Sequence, residues 1–116
     1  MTCKQPIDEV ILTVGSTRKI SHNCTDAIAS AVSIAAVSGV VDDEATGDLT
    51  IANVSTNSEA YTEQATTDTV AIGKAVQFTV SSSTTSAKKY KIKITYTTDA
   101  TPTDTVVDFL HVCFAE

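Results

Sequence analysis

A chain of 116 residues, 42% of them hydrophobic, is sized for one domain with one modest core. Fourteen acidic against eight basic side chains give a formal charge of -6, which leaves no broad basic surface and argues against nucleic acid as the main partner. No stretch is long and apolar enough to span a bilayer, and Met1-Thr2-Cys3-Lys4-Gln5-Pro6 lacks the hydrophobic run of a secretory leader, so folding in a cytosol is expected.

Aromatics make up only 5% and Trp is absent, so the core must come mostly from Val, Ile, Leu and Ala. Thr is abundant, and its branched side chain suits a pleated surface. Residues 1–9 read as a polar N-terminal arm, kept extended around Pro6, and residues 10–116 as one β-sandwich domain. The first strand is expected over residues 10–14, with Val10, Leu12 and Val14 on one face, and Gly15-Ser16 as turn or bulge. Residues 18–24 are mixed, with Ile20 as their large apolar anchor.

Residues 27–41 admit two readings. A helix could be capped by Asp26 and built on Ala29, Ala31, Ala35 and Ala36. A strand would put Ile28, Val32, Ile34 and Ala36 together, broken by a bulge near residues 36–39. The strand is preferred. Asp42, Asp43, Glu44 and Asp48 then mark an acidic turn whose spacing does not follow a calcium loop; a solvated loop is expected.

A short strand follows over residues 49–54, with Leu49 and Ile51 on one face. Residues 55–69 read as a loop anchored by Tyr61. Val76, Phe78 and Val80 alternate with Gln77 and Thr79, a clear strand signal. The low-complexity run of residues 81–86 is an exposed connection. Then Tyr90, Ile92, Ile94 and Tyr96 alternate with Lys91, Lys93, Thr95 and Thr97, the strongest strand pattern in the chain. The lysines, with Lys88 and Lys89, are expected to solvate that strand and discourage edge pairing. In the last strand, residues 106–114, Val106, Leu110, Val112 and Phe114 share one face and Val107, Phe109 and Cys113 the other. Apolar groups on both faces imply a central position or an interface. About seven strands in all predict an all-β fold, a two-sheet sandwich.

No reaction centre is legible. His22 and His111 lie near no nucleophile motif, and no Gly-x-Ser-x-Gly elbow is present. His111 and Cys113 share a strand face, but a satisfied or interface histidine is the expected reading. Asp104 and Asp108 carry no hydrolase signal. Cys3, Cys24 and Cys113 show no metal-ligand spacing; Cys113 reads as a small buried hydrophobe, and a Cys3–Cys24 disulfide is disfavoured in a reducing compartment. No catalytic, cofactor-binding or metal residue is assigned.

Three blocks together resemble a group of small immunoglobulin-like structural proteins of tailed bacteriophages, often encoded among head and head–tail connector genes. They are Asp8-Glu9-Val10-Ile11-Leu12, Ile28-Ala29-Ser30-Ala31-Val32-Ser33-Ile34, and Tyr90-Lys91-Ile92-Lys93-Ile94-Thr95-Tyr96-Thr97-Thr98-Asp99 with its closing strand. The family pattern continues into an Asp-Gly turn, whereas Asp99 here precedes Ala100 and a longer connection through Pro102, Thr103 and Asp104, so a different turn is expected. The resemblance implies an immunoglobulin-like sandwich acting as a virion structural protein, a capsid decoration or cement subunit, or alternatively a neck or tail accessory subunit. It implies homo-oligomeric copies on a symmetric particle, the major capsid protein or other virion subunits as partners, folding in the host cytoplasm before assembly, no membrane, no direct nucleic acid and no cofactor. It carries over no catalytic residue, and it is not the pattern of an enzyme.

Binding is expected through the apolar patch of residues 106–114 and the arm of residues 1–9. The rival is a fibre-associated module for carbohydrate or a host surface, using Tyr61, Tyr90 or Tyr96, of which Tyr90 and Tyr96 read better as core.

Overall fold

The computed structural model describes residues 9–25, 27–28, 31–63, 68–83 and 88–115. Of the arm expected over residues 1–9, residues 1–8, Cys3 among them, lie outside these described residues, as do the Asp26 cap, Ala29 and the far end of the serine–threonine connection, while Glu9 is not arm but the first residue of a strand paired with His111. Within them are nine strands and no helix. The strands are β1 (Glu9–Thr13), β2 (Thr17–Asn23), β3 (Ile34–Asp42), β4 (Leu49–Thr56), β5 (Tyr61–Thr62), β6 (Thr69–Val70), β7 (Ala75–Ser82), β8 (Lys88–Thr98) and β9 (Thr105–Ala115).

They form three sheets: β1-β9-β8-β3, β2-β7-β4 and the small pair β5-β6. The β1–β9 pairing is parallel and every other pairing is antiparallel. About seven strands are expected and nine are present; the additions are two-residue segments, β5 within the stretch read as loop and β6 across its end, from Thr69 to Val70. Segments so short carry no periodicity to detect.

Alternation decides which side chains go inward. In β8, Tyr90, Ile92, Ile94, Tyr96 and Thr98 are buried while the residues between them are half-buried. Val76, Phe78 and Val80 of β7 and Leu110, Val112 and Phe114 of β9 are buried too. Side chains of the four-stranded and three-stranded sheets share one cluster, in which Phe78 and Val80 from one sheet join Ile92, Ile94 and Phe114 from the other. The Tyr90 and Phe114 rings meet edge to face at 5.8 Å, a favoured aromatic geometry.

The structure corrects several expectations. The lysine-bearing strand is not an edge: β8 lies between β9 and β3, so Lys91 and Lys93 do not guard against edge pairing. Lys91 instead sits 4.3 Å above the Phe109 ring, a cation–π contact that also covers apolar surface. The mixed segment around Ile20 is a full strand, β2, because β7 supplies its hydrogen bonds in continuous register from Thr17 to Asn23. Only Ile20 of it is fully buried, which is why its own pattern was weak.

Among the described residues of 27–41, strand begins only at Ile34. Val32 and Ser33 are held by other loops instead: Lys74 Nζ donates to Val32 O, Ser33 N donates to Asp99 Oδ1 at 2.9 Å, and Asp99 N returns a bond to Ser33 O. Gly73 makes this close approach possible. Its φ is +77°, and a Cβ there would lie 3.3 Å from Ser33 Cβ. The expected bulge is present, as register shifts between Ile34 and Ala36 and between Val37 and Gly39. It rotates Ala36 outward, so Ala36 does not share the buried face of Ile34.

The acidic turn is organised by its own backbone. Asp42 accepts from Glu44 N at 3.1 Å and Thr46 N at 3.0 Å, which folds the connection from β3 to β4. Asp48 accepts from Tyr90 Oη at 2.9 Å and from Lys88 Nζ at 3.1 Å, tying the start of β4 to β8. The Tyr90 hydroxyl, and after it Lys88, hold the Asp48 carboxyl below its ordinary value of 3.8. A carboxyl depressed in the folded state stabilises above its unfolded pKa, and that stabilisation is lost as pH falls through the folded one. Asp48→Asn is therefore expected to melt below the unsubstituted protein near neutrality, with the gap closing in acid; thermal melts from neutral pH to about pH 2 measure it.

Candidate functional site

Two places combine chemistry with access: a polar cluster between the sheets, and the outer face of β9.

The cluster grows from the end of β2. Side chains two apart on an extended chain point the same way, so His22 and Cys24 share a side. Cys24 follows the strand, and its N–H donates to Lys74 O at 2.8 Å. From the other sheet comes Asp108, on the same face of β9 as Val106 and Leu110. A carboxylate aimed among apolar neighbours is costly unless hydrogen-bonded. Asp108 is: Tyr96 Oη donates to its Oδ2 at 3.1 Å, and His22 Nε2 lies 3.1 Å from the same oxygen. The side chains of His22 and Asp108 keep 15% and 22% exposure, whereas Cys24 is wholly buried and free.

Burial pushes the Cys24 thiol up to about 11; the bond with Tyr96 opposes this and the Asp108 charge adds to it. Burial also raises the Tyr96 phenol, with Cys24 beside it the next cause. A nucleophilic cysteine needs a lowered pKa and an open approach. Cys24 has neither, so the Cys–His–Asp grouping is not an activated thiolate. What it offers is three different donor atoms at close range.

None of this was assigned from sequence. His22 and Cys24 carried one local signal, a His-x-Cys spacing on a strand, but Asp108 lies 86 residues from His22, and only the facing of the sheets unites them. His111 and Cys113, which share a strand face in the sequence pattern, do not form a site. His111 is exposed, and Cys113 is buried and disulfide-bonded. Cys113 is therefore not the simple hydrophobe expected, and free Cys24 rules out the Cys3–Cys24 pairing. Asp104 is exposed in the β8–β9 connection and its carbonyl accepts from Thr98 N at 3.0 Å.

The four acidic residues at 42–48 do not converge on a common centre. Asp42 serves the turn, Asp43 lies 3.9 Å from Lys91, and Asp48 faces Lys88 and Tyr90. Tyr90 and Tyr96 are buried. Tyr61 is half-buried beside a polar cavity of about 230 Å³ that Lys19, Glu59 and Gln77 also line.

On the outer face of β9 only part of the expected patch at residues 106–114 is open. Val107 and Phe109 are 45% and 38% exposed, Cys113 on the same face is buried, and Leu110, Val112 and Phe114 on the other are core. Register extends the patch across the sheet, because Val41 of β3 pairs with Lys93 of β8, which pairs with Phe109 of β9. Val41 is 52% exposed. Val41, Lys93, Phe109 and Lys91 thus form an apolar surface carrying two cations.

No protein-family model, curated protein or solved structure matches the chain.

Proposed function

We propose that this chain is a virion structural subunit of a tailed bacteriophage, an immunoglobulin-like sandwich that binds and stabilises the capsid shell as a decoration or cement protein. The observation that carries this reading is the outer sheet face, where Val41, Val107 and Phe109 stand exposed beside Lys91 and Lys93. Interfaces favour aromatic and apolar groups at their centre with charge toward the rim. The strand order supports the fold half of the proposal. The sets β2-β7-β4 and β3-β8-β9, with β1 added in parallel beyond β9, follow the order of the immunoglobulin sandwich, in which the second, fifth and fourth strands face the third, sixth and seventh once the small β5–β6 pair is set aside.

Cryo-electron microscopy of the native particle, with the subunit identified by mass spectrometry, tests the role. Density for this fold repeated over the shell is expected. A single ring at the portal or tail would reassign it to a neck or tail accessory subunit, and absence from purified particles would overturn both. Val107→Glu with Phe109→Glu is expected to remove the subunit from particles while leaving its melting temperature within a few degrees, because exposed positions cost little in the free fold. Unchanged occupancy would remove this face from the interface.

A further inference from the structure

Outside the proposed interface, the His22–Cys24–Asp108 cluster offers one ring nitrogen, one sulfur and one carboxylate oxygen, all within 4.8 Å of one another. We propose that these three side chains bind a divalent transition-metal ion of the zinc type, clamping the end of β2 to the middle of β9. The donor set selects the ion class. Magnesium and calcium take oxygen ligands, whereas imidazole and thiolate together suit zinc and its neighbours.

Distance is compatible with this. Bonds of about 2.0–2.3 Å in a tetrahedron place donor atoms about 3.3–3.7 Å apart. His22 and Asp108 already stand 3.1 Å apart and the sulfur completes a set within 4.8 Å, so closing the site draws the sulfur inward, away from its bond to the His22 carbonyl.

The ligands are also held. His22 lies within β2 and pairs with Val76 of β7, the Cys24 backbone is bonded to Lys74, and Tyr96 donates to the Asp108 carboxylate. Such outer partners orient metal ligands and support affinity. The exposed sides of His22 and Asp108 leave a path for the ion and a position for a water as fourth ligand. On binding, Cys24 gives up its thiol proton to solvent and coordinates as thiolate.

The rival is a hydrogen-bonded cluster that needs no ion, and a spectroscopic titration separates the two. The chelator-treated full chain is titrated with Co²⁺. The expected result is a one-equivalent spectrum with thiolate-to-cobalt charge transfer and tetrahedral d–d bands, bleached by Zn²⁺. Cys24→Ser should remove the charge-transfer band. His22→Gln should weaken affinity by at least about 10-fold. Zn²⁺ should raise the melting temperature of the unsubstituted protein clearly more than that of His22→Gln or Asp108→Asn at the same concentration, which keeps the test decisive if Cys24→Ser does not fold. Absence of charge transfer at excess Co²⁺, the same band in Cys24→Ser, or an equal Zn²⁺ shift in all variants would overturn the site.

Discussion

Phe78→Ala is expected to lower the unfolding free energy by about 3–5 kcal/mol, the range for removing a buried ring that its surroundings cannot replace. Phe78 is 1% exposed in β7, the strand between β2 and β4. It belongs to the one cluster that also holds Ile92, Ile94 and Tyr96 of the other sheet. Two rigid sheets cannot easily collapse onto the space left behind, so the cavity adds to the lost transfer energy. Single domains are stable by only about 5–15 kcal/mol, so this one truncation removes a large share. Urea unfolding followed by far-UV circular dichroism measures it. Val107→Ala is the control, with an expected change within about 0.5 kcal/mol because that side chain faces solvent. Equal effects at the two positions would contradict the assignment of the inner faces.

The second large effect is at Asn57, which is 1% exposed. Its Nδ2 donates to Glu59 O at 3.0 Å and Ala71 O at 2.9 Å, and its Oδ1 accepts from Ala75 N at 3.0 Å. Its backbone bonds Ala75 O and Gly73 N as well. One amide thus satisfies the chain on both sides of the β5–β6 pair and the start of β7. Asn57→Asp replaces both donors by an oxygen facing two carbonyls and buries a charge. The expected loss is about 3 kcal/mol or more. Asn57→Leu keeps the volume but strands the Ala75 N–H, with an expected loss of about 1–3 kcal/mol. Hydrogen exchange distinguishes the local from the global consequence: protection should fall first at Gly73 and Ala75, before the centre of β8. Uniform loss of protection would mean that Asn57 is no local organiser.

These two residues differ in how legible they were. Phe78 sits between Val76 and Val80 in an alternating run, so its inward direction follows from the pleat alone. Asn57 sat in a polar stretch and looked like any loop residue. Its partners lie 2, 14 and 18 positions away, and no local pattern marks an amide that bonds three backbone groups.

The same division runs through the rest of the molecule. Alternation in β8 and β9 assigned their inner faces, and the Gly39-containing stretch announced its bulge. The repeated alternation and the Thr-rich composition pointed to the all-β class. Neither could say that β8 is a central strand, because an edge and a centre differ in what lies alongside, not in the strand's own residues. The weak pattern of β2 became a strand through pairing with β7, and the second half of residues 27–41 became one through pairing with β8.

The candidate site belongs wholly to that second category. Once β2 and β9 are in place, period two sets which way His22 and Asp108 point, with Cys24 following His22 just past the end of β2. Only the facing of two sheets, formed from segments far apart in the chain, put a thiol, an imidazole and a carboxylate within reach of one ion. Side-chain direction is a local property of an extended backbone, readable from order alone. Proximity across sheets arises from burying two apolar faces at once, and that is decided by the tertiary structure.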